Sequence, residues 1–244
     1  MRVLVTGGNG FLGGYVVSAL QRRGVDPVVF DRRHPPSRTW EVMLGDVRDP
    51  VAVSESVAHV NGVIHLAGVL GTQETIADPR PSVETNIYGS LHVFQACHRY
   101  GIPCSYITVG NHWMNNSYSI TKTTAERFAW MCNRELGTKS AVVRALNAYG
   151  PGQKAVPVRK IMPTFVLAAL RGDPIQIYGD GTQIMDMIHA RDVADVMVRA
   201  LLEPHGRYVS PAFEAGTGRR TTVQEIAELV LQAVGKGSIE HLPM

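Results

Sequence analysis

The chain predicts an α/β protein: a doubly wound parallel sheet with helices on both faces, plus a small mixed region near the C-terminus. Three observations carry that expectation. Strand-like and helix-like segments alternate, the pattern of parallel strands joined by crossover helices. A glycine-spaced turn links the first strand to the first helix, and an acid closes the second strand. Beyond Gly150-Pro151-Gly152 the elements become short, broken by Pro157, Pro163, Gly172 and Pro174. The expected division is one larger domain over residues 1–150 and a small region over 151–244 that interleaves with the sheet.

Arg2 to Thr6 (RVLVT) is a short buried-strand pattern that runs into Gly7-Gly8-Asn9-Gly10-Phe11-Leu12-Gly13. From Phe11 to Arg23 the pattern is helical, and Val28 to Phe30 is again strand-like, closed by Asp31. Gly7, Gly10 and Gly13 let the backbone turn tightly, approach a pyrophosphate and pack helix against strand. The phosphates would sit at the helix N-terminus, where free N–H groups and the dipole favour negative charge. Asp31 would accept hydrogen bonds from an adenosine ribose. A glycine-rich turn of an unrelated α/β fold would leave that acid unexplained. The reading is a Rossmann-type dinucleotide site with Gly7, Asn9, Gly10, Phe11, Leu12, Gly13 and Asp31 as its candidate contacts. Asp31 favours NAD over NADP because a carboxylate repels a 2′-phosphate. Arg32, directly after it, is the cation that would soften that preference.

Further along, Val63 to Leu66 (VIHL) reads as a strand ending in Ala67-Gly68, and Pro81 to Tyr100 as a helix with Val83, Ile87, Leu91 and Phe94 on one stripe. Ser105 to Val109 is a strand, Tyr118 to Leu136 a helix and Ser140 to Ala145 a strand. Arg191 to Leu202 and Thr222 to Val234 are the clearest helices of the last part.

Composition narrows the function classes. The 244 residues are 45% hydrophobic and 18% charged, ample for an ordinary globular core. A net charge of +3, from 24 basic and 21 acidic residues, is too small and scattered to argue for nucleic acid. Cys97, Cys104 and Cys132 show no CxxC spacing and read as reduced thiols of a cytoplasmic protein. A core strand beginning at residue 2 leaves no room for a signal peptide, and no run approaches a membrane span. The nine histidines form no HxxxH or HxH pair, so no metal is expected.

Tyr118-Ser119-Ile120-Thr121-Lys122 places a phenol and an ammonium four residues apart, on one face of a helix. The ammonium would lower the phenol's pKa, and a phenolate can remove a proton from a substrate hydroxyl while a hydride leaves the same carbon. Alone, such a pair is read as a solvated surface pair. After a dinucleotide fingerprint, and after a strand carrying a hydroxyl, it reads as catalytic. That hydroxyl is Thr108, near the C-terminal end of its strand; Ser105 is at the start. Thr108 has two readings, a group that hydrogen-bonds the substrate oxygen and Tyr118, or a β-branched residue filling a strand.

With these residues in view, the chain resembles the extended short-chain dehydrogenase/reductases of the NAD-dependent epimerase/dehydratase family, the relatives of UDP-glucose 4-epimerase. The matching segments are TGGNGFLG (6–13), Asp31, GDVRD (45–49), HLAG (65–68), Asn86-Ile-Tyr-Gly, YSITK (118–122), RALNAYGP (144–151) and GDGTQIMDMIHARDVADV (179–196). The resemblance implies NAD as cofactor, with Asp46 and Val47 at the adenine ring and Leu66, Ala67 and Gly68 lining it. It implies Tyr118 as base and Lys122 on the nicotinamide ribose. Asn86 would support the active-site helices, or be a helix-interior hydrogen bond. Asn147 would lie near the sugar or diphosphate of a nucleotide-sugar, or be a turn residue before Gly150-Pro151.

Three departures from the family pattern bear on substrate. Thr108 is followed by Val109-Gly110-Asn111-His112-Trp113-Met114, with Tyr118 arriving quickly. Met185 stands where an arginine usually clamps the diphosphate, and Arg159, Lys160 and Arg191 are the substitutes in reach of sequence. The chain stops at His241-Leu242-Pro243-Met244 where relatives continue, which implies a shortened C-terminal region or a pocket completed by a partner. The leading expectation is a nucleotide-sugar 4-epimerase. A reductase, dehydrogenase or dehydratase on a related sugar stands beside it, and a non-catalytic NAD-binding sensor or scaffold is the reading from another class. The resemblance also implies a homodimer, with helices 81–100 and 118–136 forming a four-helix bundle in which Phe94, Phe128 and Met131 serve core or partner.

Overall fold

The computed structural model describes residues 1–34, 40–203 and 212–243. In chain order these form β1 (Arg2–Thr6), α1 (Phe11–Gln21), β2 (Asp26–Asp31), β3 (Glu41–Leu44), α2 (Pro50–Val57), β4 (Gly62–His65), α3 (Arg80–Ser82), a π turn (Val83–Tyr88), α4 (Gly89–Tyr100), β5 (Cys104–Val109), α5 (Ser117–Leu136) and β6 (Ser140–Ala145). There follow β7 (Asn147–Tyr149), α6 (Ile161–Arg171), β8 (Ile175–Tyr178), β9 (Ile184–Met185), β10 (Met187–His189), α7 (Ala190–Leu202), β11 (Phe213–Ala215), β12 (Thr221–Thr222), α8 (Val223–Val234) and β13 (Ile239–Leu242). The chain divides into two compact units, Met1–Leu146 with Ala190–Ala215, and Asn147–His189 with Gly216–Met244.

The first unit holds a seven-stranded sheet in the order β3-β2-β1-β4-β5-β6-β11, every pair parallel. Its strands are apolar without alternation, as a sheet covered on both faces requires: Val3, Leu4, Val5, Val28, Val29, Val63 and Ile64 are all buried. α1 and α7 pack together, tied by Arg22 and Arg23 to Asp195. α4 and α5 pack together in the same way, and Phe94 and Tyr106 meet edge to face among Leu4, Val57, Val93 and Val142. Each such side chain stabilises the fold by roughly 1.5–3 kcal/mol. Caps set the helix bounds. Asp49 accepts from the N–H groups of Val51 and Ala52 ahead of Pro50, Asn116 accepts from Ser119, and Gly101 and Gly137 close α4 and α5 in the left-handed conformation.

The helix expected over 81–100 is interrupted by the π turn, and the wide turn changes which side faces the core. Val83, Ile87 and Leu91 are only half-buried, while Ser82, Thr85, Asn86 and Ser90 lie inside and Phe94 alone of the stripe is in the core.

The second unit has its own apolar cluster, with Phe165, Ile175, Ile177, Ile226 and Val230 at its centre. Its strands pair in twos, β7 with β10, β9 with β12 and β8 with β13. Thr222 and Glu225 form a reciprocal capping box at the start of α8.

Candidate active site

The strand order reverses between β1 and β4, so the loops after those two strands flank the crevice where ligands bind in doubly wound sheets. Missing Cβ atoms are what let the two loops meet. Gly7 has φ +68, and a Cβ on it would lie 2.8 Å from the Cα and N of Ala67. A Cβ on Gly13 would lie 2.2 Å from the Gly8 carbonyl oxygen, so α1 sits directly against the loop. Gly10 is different: its Cβ would meet only the Gly7 oxygen, at 3.1 Å, leaving that side of the loop open. The open cradle at the N-terminus of α1 fits a pyrophosphate, which binds through backbone N–H groups. Phe11 and Leu12 open the helix there, and the Asn9 N–H donates to Asp31 Oδ2 at 3.1 Å, bringing the acid to the loop. The Asn9 amide in turn donates to Arg33 O and accepts from Trp40 Nε1.

The loop after β4 is anchored from beneath. Asn86 Oδ1 accepts from the Val69 N–H at 2.8 Å, and Asn86 Nδ2 donates to Val69 O and Thr121 Oγ1 at 3.1 and 3.0 Å. One buried amide thus joins the loop Leu66–Val69 to α5. His65 bridges Thr6 Oγ1 at 2.6 Å and Ser90 Oγ at 3.0 Å and stacks on Tyr106. Burial, with the nearby Lys122 charge, holds its imidazole well below the usual histidine range, so the ring is neutral.

Lys122 reaches this same point. Its ammonium lies 4.3 Å from the centre of the Tyr106 ring and 3.9 Å from where a Cβ on Gly68 would be. Tyr118 stands one turn earlier on α5 and is half-buried. The electrostatics depart from expectation. Burial pushes the Tyr118 phenol up to about 12, and it draws Lys122 down to about 7 against the raising influence of Glu126. The expected lowering of the phenol by Lys122 is not seen, because desolvation dominates both groups.

Thr108 also has a different partner from the one expected. Its side chain is buried, and its hydroxyl donates to the Lys122 carbonyl at 3.3 Å, beside the Tyr106 phenol that donates to the same oxygen at 3.2 Å. Period two along β5 explains this: Tyr106 and Thr108 share the face toward α5, while Ser105 meets Met197 on α7. Beyond the strand, His112 Nδ1 pairs with the Gly110 carbonyl oxygen.

Asp46 and Val47 lie elsewhere in the same unit. Val47 is a core residue whose carbonyl pairs with His92, and the Asp46 carboxylate is gripped by Arg48 with Arg32 at 3.8 Å. Hydrogen bonds from Arg48 lower its pKa. Arg32 is thus engaged by an acid of the expected adenine end.

In the second unit, Asn147 opens β7, and its N–H and side-chain amide both donate to the Asp186 carbonyl at 3.1 Å. The Asp186 carboxylate accepts from the Thr217 N–H and hydroxyl and from the Gly218 N–H. Partial burial opposes its charge, but these donors hold its pKa below the usual carboxylate range. Met185 lies on β9 against β12, and Arg219 flanks an apolar groove lined by Tyr149, Met162, Leu229 and Val230. Asp186, Tyr106 and the Glu126–Arg144 ion pair were not anticipated as site residues. Their places rest on partners far away in sequence, so no local pattern pointed to them. Among the described residues no helix is long and apolar enough to cross a membrane, and no group of three potential ligands is placed to hold a metal ion.

Known proteins resemble this chain in sequence and in fold. UDP-glucuronic acid decarboxylase 4 of Arabidopsis thaliana is 26% identical over all of this chain, which spans 60% of that protein's length. UDP-glucose 4-epimerase of Rhizobium leguminosarum bv. trifolii is 30% identical over 92% of this chain and 79% of its own. The crystal structure of Thermus thermophilus UDP-glucose 4-epimerase in complex with NAD superimposes with a TM-score of 0.87 and 26% identity, covering 100% of this chain and 86% of that one. The model of the NAD-dependent epimerase/dehydratase family matches residues 3–216, the span that holds the glycine cradle, the Asn86 anchor and the Tyr118–Lys122 face, and the chain belongs to that family.

Proposed function

We propose that this chain is an NAD-dependent epimerase that inverts C4 of a nucleotide-sugar with Tyr118 as the base. The observation that carries the reading is the meeting of Lys122 with Gly68, in a loop whose Ala67 lies against Gly7, while Tyr118 shares the Lys122 face of α5. Gly7, Asn9, Gly10, Phe11, Leu12 and Gly13 would hold the pyrophosphate of NAD, and Asp31 the adenosine ribose. Leu66, Ala67 and Gly68 would line the cofactor, with Asp46 and Val47 toward its adenine. When bound, NAD supplies a reversible hydride acceptor. Tyr118 takes the proton of the sugar hydroxyl and returns it to the same oxygen, and the reaction is redox-neutral because the hydride lost from C4 would come back to the other face of that carbon. Lys122 binds the nicotinamide ribose, and its charge stabilises the phenolate against the burial that opposes ionisation. Asn86 and His65 keep the Leu66–Val69 loop in place.

A second reading, a dehydratase, decarboxylase or reductase of the same family, draws support from relatives that carry the first two activities. Val109-Gly110 after Thr108 counts against the dehydratase, whose branch places an Asp-Glu pair there. We also infer a cytoplasmic homodimer. Three free, buried thiols support the compartment. The exposed Tyr88, Ile120 and Met131, with half-buried Val83, Ile87, Leu91 and Phe128, offer an apolar face for a four-helix bundle.

Product analysis by mass spectrometry and NMR tests the assignment, with NAD, a panel of UDP- and dTDP-sugars, and Tyr118→Phe run beside wild type. A Tyr118-dependent inversion at C4 without net NADH is the expected result. NADH release, carbon dioxide or a dehydrated product assigns the second reading. Bound NAD without turnover on any sugar leaves a sensor or scaffold.

A further inference from the structure

Lys122 is 2% exposed, and its ammonium rests over a phenol ring. A cation–π contact alone does not repay the desolvation of an ammonium. Four residues on, along the same face of α5, stands Glu126, which is 0% exposed. Its carboxylate is clamped by Arg144 of β6, with Nη2 at 2.5 Å from Oε1 and Nε at 3.2 and 3.3 Å from the two oxygens. Arg144 is mostly buried, lies 5.8 Å from the Trp130 ring centre, and has Glu214 of β11 at 3.9 Å. A buried ion pair is no bargain for stability, since apolar residues of the same volume often serve as well. A charge fixed one turn from Lys122 therefore points to a use beyond packing.

We propose that Glu126, fixed by Arg144, is a positioning residue that keeps the Lys122 side chain charged in its desolvated pocket. The proposal rests on the reading of Lys122 as the partner of Tyr118 and of the cofactor. The groups facing Lys122 are Tyr118 and Glu126 on its own helix, Tyr106 on β5 and His65 on β4, with Arg144 of β6 on the Glu126 carboxylate. Burial keeps Tyr106, Tyr118 and His65 neutral, so Glu126 is the anion of this set. Its charge is also what works against the fall of Lys122 on burial. Arg144 holds that carboxylate in one orientation, so the clamp and the charge can be tested separately.

The test follows the Lys122 ε-carbon by NMR through a pH titration of the cofactor-free protein, the signal being assigned with Lys122→Met. Glu126→Gln is expected to lower the midpoint by about one pH unit or more. Glu126→Asp returns part of that shift. Arg144→Gln, which frees the carboxylate from its clamp, moves the midpoint away from the wild-type value and decides the matter by itself where Glu126→Gln fails to fold. A midpoint that stays within about 0.2 unit in either variant overturns the proposal. Midpoints that move as expected while NAD affinity and Tyr118-dependent turnover do not follow leave the electrostatic role standing and remove the functional reading beneath it.

Discussion

The two halves of the candidate site are made in opposite ways. The cradle after β1 is built from what is absent: Gly7 and Gly13 lack the Cβ atoms that would strike Ala67 and Gly8, and the backbone does the rest. The Tyr118–Lys122 half is built from what is costly, a half-buried phenol and an ammonium stripped of water, with pKa values driven to about 12 and about 7. Binding geometry here follows from sterics and is compatible with stability. Chemistry follows from desolvation and works against it.

That contrast can be broken first at Gly13. Gly13→Val puts side-chain atoms where the Gly8 carbonyl stands, and we expect a loss of about 3 kcal/mol or more in denaturant unfolding. Gly10→Ala, with only a 3.1 Å neighbour, folds normally and loses NAD affinity in calorimetry. Next comes Asn86→Ala, which removes the three bonds joining Val69 to Thr121 and lowers stability by about 2–3 kcal/mol. A smaller effect of opposite sign is expected on the other side. Lys122→Met removes a desolvated ammonium, so the cofactor-free protein gains about 1–3 kcal/mol while turnover collapses.

The pH dependence sharpens the same point. Lys122 titrates near 7 when folded and near its ordinary value of 10.5 when unfolded, so between these the unfolded chain binds more protons. Unfolding free energy should therefore rise with pH across that window, by up to about 1.4 kcal/mol per unit, and Lys122→Met should flatten the rise. His65, kept neutral when folded, acts in the same direction below its unfolded value of 6.5. The smallest expected effect is at Asp31. Asp31→Ser should relax the preference for NAD over NADP by about tenfold, with Arg32 still drawn toward Asp46.

How much of this was legible depends on whether a residue's task is local. The glycine loop of Gly7, Gly10 and Gly13 and the place of Asp31 at the end of β2 could be read in order because strand, turn and helix each leave a local pattern. Tyr118 and Lys122 could be read because a helix brings positions four apart together. Thr108 could not be oriented without knowing which face of β5 meets α5, and its hydroxyl lies on the Lys122 carbonyl. The inner face of the helix over 83–100 was hidden because it is polar: Thr85, Asn86 and Ser90 look like surface until the π turn and their partners in the core are seen. Glu126 and Arg144 are 18 residues apart and meet only across α5 and β6.

Whether the Lys122 pocket gives up stability for function is decided by one paired measurement: urea unfolding and turnover of wild type and Lys122→Met at pH 7, both without and with NAD. The expected variant is more stable than wild type without cofactor, gains less from NAD, and is inactive. A variant that is less stable without cofactor, or that keeps its turnover, would show that the pocket does not.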